Sequence, residues 1–168
     1  MYKKSVVLVG FMGTGKSTVG SVLSKRLGFE LIDIDALIEK KTGKSITDIF
    51  TRDGEKHFRD IEEEVIREIA GMEKAVIITG GGAVLRKNNI ENLRKCGKIV
   101  CLTATPSEIY RRVKAETHRP LLQVDDPVKK IEELLSAREK FYAEADVFVD
   151  TTGLTTDEVA EEVIKKLT

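Results

Sequence analysis

The stretch Gly10-Phe11-Met12-Gly13-Thr14-Gly15-Lys16-Ser17-Thr18 constrains this chain more than any other. It fits G-x-x-x-x-G-K-[ST], a spacing in which glycines let successive backbone N–H groups turn inward around phosphate oxygens, at the positive end of the helix that follows. The flanks agree with that use. Ser5-Val6-Val7-Leu8-Val9 is a continuous aliphatic run of the buried-strand type, and Val19, Val22, Leu23 and Leu27 recur at helical spacing. A glycine-rich turn with an incidental lysine would not need strand, loop and helix in that order. Gly13, Thr14, Gly15, Lys16, Ser17 and Thr18 are therefore candidate nucleotide-binding residues. Lys16 can reach the β- and γ-phosphates, and the Ser17 hydroxyl can complete the shell of a magnesium ion.

The chain has 168 residues, enough for one full core and too few for two comfortable ones, so a single domain over 1–168 is expected. Lys+Arg and Asp+Glu both number 28, and this balance offers no basic surplus for a nucleic-acid partner. Cys96 and Cys101 do not form a C-x-x-C pair, and Cys101 lies in an apolar run, as a buried thiol would in a reducing compartment. The apolar run that follows Met1-Tyr2-Lys3-Lys4 is too short for a signal-peptide core or a membrane span. A cytoplasmic monomer that binds no membrane is the resulting expectation.

Further strands are expected at Phe29 to Asp35, Ala75 to Thr79, Lys98 to Leu102 and Val147 to Val149, alternating with helical segments. Five apolar strands in that alternation predict a three-layer α/β/α sandwich around a five-stranded parallel sheet. On the second strand, alternation would put Asp33 and Asp35 on one face, at the carboxyl end where ligands bind in such sheets; the alternative for Asp35 is a helix cap. Between the second and third strands, helices after Ala36, Ser45 and Gly54 suggest a substrate-binding insertion over about 35–62. Glu55, Arg59 and Glu62 share one helical stripe, whereas the dense run Glu62-Glu63-Glu64 reads as a solvated face. Gly80-Gly81-Gly82, costly in chain entropy, argues for close approach to the backbone.

Thr105-Pro106-Ser107-Glu108 opens a helix carrying Arg111 and Arg112. The segment around Arg119-Pro120, within about 113–125, suits a lid. Arg138 follows on a long helix, and Thr155 with Glu158 caps the last one. No N-K-x-D guanine-reading motif is present, which favours ATP over GTP. An arginine-bearing, carboxylate-bearing ATP site points to phosphoryl transfer, with Asp35 placed to orient an acceptor hydroxyl.

Taken together, Gly10 to Thr18, Asp33-Ile34-Asp35, Phe58-Arg59, Thr79-Gly80-Gly81-Gly82-Ala83, Arg119-Pro120-Leu121-Leu122 and Arg138 resemble the shikimate kinase family over essentially the whole chain. The resemblance implies a P-loop NTPase fold of the nucleoside monophosphate kinase-like kind. It also implies transfer of the ATP γ-phosphate to the 3-hydroxyl of shikimate, with Mg2+. Asp35 then looks like the acceptor-binding base, and Arg59 and Arg138 like the clamp on the shikimate carboxylate. Gly80, Gly81 and Gly82 resemble the loop bordering shikimate, and Asp33 the outer-shell magnesium carboxylate beside Ser17. Arg119 looks like the lid arginine at the phosphates, and catalysis would rest on Lys16, Asp35 and Arg119. Arg112, or its neighbour Arg111, and the loop from Asp150 to Thr155 resemble the adenine clamp. A kinase for another small hydroxy acid such as gluconate, and a non-catalytic nucleotide-sensing module, are the competing readings.

Overall fold

The computed structural model describes residues 1–116 and 122–168. Five strands form one parallel sheet in the order β2-β3-β1-β4-β5, with β1 at Ser5–Val9, β2 at Glu30–Asp33, β3 at Ala75–Ile78, β4 at Gly97–Thr103 and β5 at Val147–Asp150. Every pairing is parallel, as in the register Val7↔Ile77 and Val7↔Ile99 about the central β1. That strand is fully buried along its length, which is why its sequence is aliphatic without a break.

Alternation along the strands divides the core in two. Val6, Leu8, Val76, Val100 and Leu102 face α1, at Lys16–Leu27, and α8, at Thr156–Leu167. Val7, Val9, Ile77, Ile99 and Cys101 face the opposite layer. That layer draws on α2 (Ile34–Thr42), α3 (Ile46–Asp53), α4 (Glu55–Glu68), α5 (Lys87–Cys96), α6 (Pro106–Val113) and α7 (Pro127–Tyr142). The three-layer arrangement expected from the alternation is the one observed. Both cysteines are buried and free, and burial pushes the Cys101 thiol up to about 11.

The caps explain several boundaries. Ser45 accepts from Asp48 N at 3.1 Å to start α3, and Thr155 with Glu158 forms a reciprocal capping box at α8. The second strand departs from expectation. It stops at Asp33, whose Oδ1 accepts from Asp35 N at 2.9 Å and Ala36 N at 3.3 Å, so Asp33 rather than Asp35 caps α2. Asp33 and Asp35 therefore do not share a strand face. The first ends β2 and the second stands in the first turn of a helix whose negative charge there is favoured by the dipole.

Among the described residues, no helix is long and apolar enough to cross a membrane.

Candidate active site

The phosphate-binding loop joins the end of β1 to α1. Gly15, with φ 96°, caps α1 in the left-handed region that other residues rarely adopt, which explains the glycine at this step. Within the loop the Thr14 hydroxyl donates to the Phe11 carbonyl at 2.8 Å, and Thr18 Oγ1 donates to Gly15 O at 3.1 Å. Lys16 folds back across the loop, donating to Gly10 O at 2.7 Å and Phe11 O at 3.0 Å. Its ammonium is thus stationed over the loop that presents the inward N–H groups.

Beside this loop lies the Gly80-Gly81-Gly82 turn that follows β3. Each glycine has its own neighbour: a side chain would clash at Gly82, be tight at Gly80 and make ordinary contact at Gly81. A Cβ on Gly80 would stand 3.2 Å from Asp35 Oδ1 and 3.5 Å from Glu62 Oε2. On Gly81 it would stand 3.5 Å from Arg138 Nη1 and 3.7 Å from Met12 N, so this turn lies beside the phosphate loop. On Gly82 it would fall on the Arg59 guanidinium. Asp35, Arg59 and Arg138, from α2, α4 and α7, thus line this turn, with Gly82 leaving room for the Arg59 guanidinium and Gly80 lying closest to Asp35.

Arg59 donates to Glu62 Oε1 at 2.9 Å, lies 3.6 Å from Glu55, and stacks over the Phe58 ring with 5.0 Å to its centroid. Arg138 donates to Gly81 O at 3.4 Å and lies 5.7 Å from the centroid of the Phe11 ring, so a loop residue of the nucleotide side floors the second arginine. Burial, and then the Asp33 charge, holds the Asp35 carboxyl above its ordinary value, against the pull of Lys16 and Arg59. Burial likewise raises Glu62, against Arg59. Asp35 Oδ1, Glu62 Oε2 and Arg59 Nε are buried with no hydrogen-bond partner in the protein, an arrangement that folding alone disfavours and a polar ligand would satisfy.

Glu62 corrects the sequence reading. It is fully buried, whereas Glu63 and Glu64 line the outer side, where Glu63 pairs with Arg86 at 2.8 Å. Its position was legible in the period: Phe58, Glu62, Val65 and Ile66 form the buried stripe of α4, and the adjacent acids obscured it.

On the other side of the phosphate loop, a cleft of about 240 Å³ is bordered by Thr14, Gly15, Arg111, Arg112, Leu154 and Thr156. Arg112 donates to Gly13 O at 3.1 Å, to Thr151 Oγ1 at 2.9 Å, to Thr151 O at 3.0 Å and to Glu108 Oε1 at 2.9 Å. Arg111 is exposed and forms a two-point pair with Glu108, whose carboxyl those bonds pull down to about 2. The Thr155 hydroxyl is engaged in its cap, while Leu154 and Thr156 on either side face the cleft, two residues that polarity-based reading of the loop passed over. Arg119 lies outside the described residues.

Among the described residues, no group of three or more His, Cys, Asp or Glu side chains could hold a metal. What is present is the Ser17 hydroxyl in the first turn of α1 and the Asp33 carboxylate, fixed by two backbone N–H groups at the end of β2. A serine hydroxyl and a single carboxylate are donors of the kind magnesium takes when it keeps several waters and phosphate oxygens, and they do not make an all-protein cage.

Comparison with known proteins gives one answer. The family model described as shikimate kinase matches residues 12–168. The shikimate kinase of Thermodesulfovibrio yellowstonii is 52% identical over 97% of this chain and 94% of its own, and that of Geobacter metallireducens is 48% identical over 95% and 89%. Among solved structures, shikimate kinase from Acinetobacter baumannii in complex with shikimate superposes with a TM-score of 0.90 at 36% identity, covering 98% of this chain and 92% of that one. The enzyme from Aquifex aeolicus gives 0.82 at 35%, over 97% and 95%. The fold is the P-loop, nucleoside monophosphate kinase-like one. With the match running along almost the whole length, this chain belongs to the shikimate kinase family.

Proposed function

We propose that this protein transfers the γ-phosphate of ATP to the 3-hydroxyl of shikimate, giving shikimate 3-phosphate and ADP on the route to aromatic amino acids. The observation that carries this reading is the packing of Asp35, Arg59 and Arg138 around Gly80, Gly81 and Gly82, a turn beside the phosphate loop. One cleft thereby offers two planar cations for a carboxylate and one raised-pKa carboxylate for hydroxyls, next to a loop for phosphates.

In the reaction, Arg59 and Arg138 bind the shikimate carboxylate, and Asp35 accepts a hydrogen bond from the 3-hydroxyl. The hydroxyl oxygen then bonds to the γ-phosphorus as the bond from that phosphorus to the bridging oxygen of ADP breaks, and the hydroxyl proton passes to Asp35. Lys16 and the N–H groups of Gly13 to Thr18 hold the β- and γ-phosphates. Ser17, and Asp33 through water, would hold magnesium, which when bound neutralises phosphate charge. Arg112, Leu154, Thr155 and Thr156 border the adenine side, and Arg119 completes the phosphate contacts from the segment at 113–125. The segment about 35–62 acts as the acceptor-binding unit within a single domain. The enzyme works as a cytoplasmic monomer, which light scattering on the purified chain would check.

A coupled ADP-release assay with ATP and magnesium tests the reading, comparing shikimate, gluconate and no acceptor, on the parent and on Asp35→Asn. Shikimate-dependent release that collapses in the variant is expected. Release stimulated by gluconate instead, or by neither acceptor, would overturn it.

A further inference from the structure

Tyr142 is the last residue of α7 and stands four positions beyond Arg138, on the same helical face. It is buried, and its hydroxyl donates to the Gly81 carbonyl at 2.7 Å, across 61 residues of sequence. The same carbonyl accepts from Arg138 Nη1 at 3.4 Å, the longer and weaker of the two bonds. Burial pushes the phenol up to about 12, so it remains a donor at any pH at which the enzyme works. One backbone oxygen is therefore the meeting point of two side chains from α7, and the shorter bond belongs to the residue without a charge.

This oxygen matters because of what its peptide unit carries. A trans peptide sets C=O and N–H on opposite sides, so a Gly81 carbonyl fixed toward α7 turns the Gly82 N–H away from that helix. Glycine residues have the least conformational preference of their own, and three in succession leave the turn dependent on outside anchors. Ala83 N to Gly80 O at 3.2 Å closes the turn internally, and Thr79 fastens the strand end to Leu8 O at 2.9 Å. The Tyr142 bond is the short anchor at its centre. Arg138, in turn, has the Phe11 ring on one side and Gly81 on the other.

We propose that Tyr142 is a positioning residue of the acceptor site, its hydroxyl fixing the Gly81 carbonyl and thereby both the glycine turn and the Arg138 guanidinium. This rests on the reading of that cleft as the shikimate site. Tyr142 itself reaches neither the reacting atoms nor the nucleotide. Its loss should loosen the placement of the carboxylate clamp and leave the phosphate loop as it is.

The test is Tyr142→Phe in the full chain, which keeps the ring and removes only the hydroxyl. The KM for shikimate should rise about fivefold to tenfold, as for a neutral hydrogen bond, with the KM for ATP within about twofold of the parent. In an Arg138→Ala background the same change should have little further effect, because the two act through one carbonyl. A purely structural tyrosine would lower the melting temperature and move both KM values alike, or neither, and either result overturns the proposal. A second measurement does not depend on the variant folding. The three tyrosines are replaced by 3-fluorotyrosine, with Tyr2→Phe and Tyr110→Phe assigning the fluorine spectrum. Shikimate alone should shift the Tyr142 resonance and ADP alone should not; a resonance unmoved by shikimate overturns the proposal. If the parent phosphorylates no shikimate, the functional reading has failed; if it does and Tyr142→Phe behaves as the parent, this inference alone has failed.

Discussion

Asp35 Oδ1 and Glu62 Oε2, carried by different helices, converge on the open side of one glycine: a Cβ built on Gly80 would stand 3.2 Å from the first and 3.5 Å from the second. Both oxygens are buried without a hydrogen-bond partner in the protein, and both carboxyls are raised by that burial. Two like-charged groups brought together this way destabilise the free protein, a pattern common where a site is built for a ligand and not for rigidity.

Gly80→Ala tests this convergence directly. Gly80 does not occupy the left-handed region, so an alanine causes no backbone strain; its methyl group enters the space between the two carboxylates. The carboxylate must give by a few tenths of an ångström, and we expect kcat/KM for shikimate to fall about tenfold, with the ATP KM and the melting temperature nearly unchanged. Parent-like turnover would show that the acceptor does not use this point.

Asp35→Asn should separate stability from activity. Because the folded-state pKa of Asp35 is raised, the folded chain holds a proton that the unfolded chain releases only at pH between the two values. The associated stability is complete below the unfolded value near 3.8 and lost as pH rises through the folded one, above which Asp35 is an ionised base. An amide has no such pH-dependent loss. At neutral pH the variant should melt above the parent while losing turnover. The difference should close near the unfolded value. Melting curves at both pH values decide, and a variant less stable at neutral pH contradicts the account.

Much of this could be read from the chain, for definable reasons. The phosphate loop and β1 are local features, fixed by glycine spacing and an unbroken aliphatic run, and they appear where the sequence puts them. Asp33 and Asp35 were harder. A two-residue alternation and a helix cap place the same letters differently, and the competition was settled by Asp33 accepting two N–H groups of the next turn. Glu62 was hidden because charge density suggests solvent, while its periodicity with Phe58 and Val65 says otherwise. The bond from Tyr142 to Gly81 has no local signal at all, since it depends on how α7 docks against a turn far away in sequence.

Arg112 joins three elements through uncharged acceptors and one carboxylate: the phosphate loop at Gly13, the start of the β5–α8 connection at Thr151, and Glu108 on its own helix. Removing it leaves the Thr151 carbonyl and the loop without that tie. Arg112→Ala should lower the melting temperature by about 2 to 8 °C, from a loss of about 1 to 2 kcal/mol, and raise the KM for ATP several-fold with the shikimate KM unchanged. Arg111→Ala, whose guanidinium is exposed and paired only with Glu108 among the described residues, should do much less to stability. Thermal melts and ATP titrations of both variants check this, and equal effects would refute the division of roles.

Arg138 offers the sharpest division between the two substrates. Its guanidinium sits between the Phe11 ring and Gly81, so it borders both the nucleotide loop and the acceptor turn, and position alone does not assign it to either. Chemistry does. The phosphate loop already holds Lys16 across its carbonyls, whereas the acceptor side has Arg59 facing the same glycine turn, and two planar forks suit one carboxylate. Arg138→Ala should weaken shikimate binding about 10- to 150-fold, the loss expected for charge-assisted hydrogen bonds of about 1.5 to 3 kcal/mol, and leave ATP binding within about threefold. Arg138→Lys keeps the charge but not the fork, and should recover only a small part of the loss. Titration calorimetry with each ligand separately measures both numbers. Equal losses for shikimate and ATP would assign Arg138 to the architecture shared by the two loops, and full recovery by lysine would mean that charge, not bidentate geometry, is what the acceptor site requires.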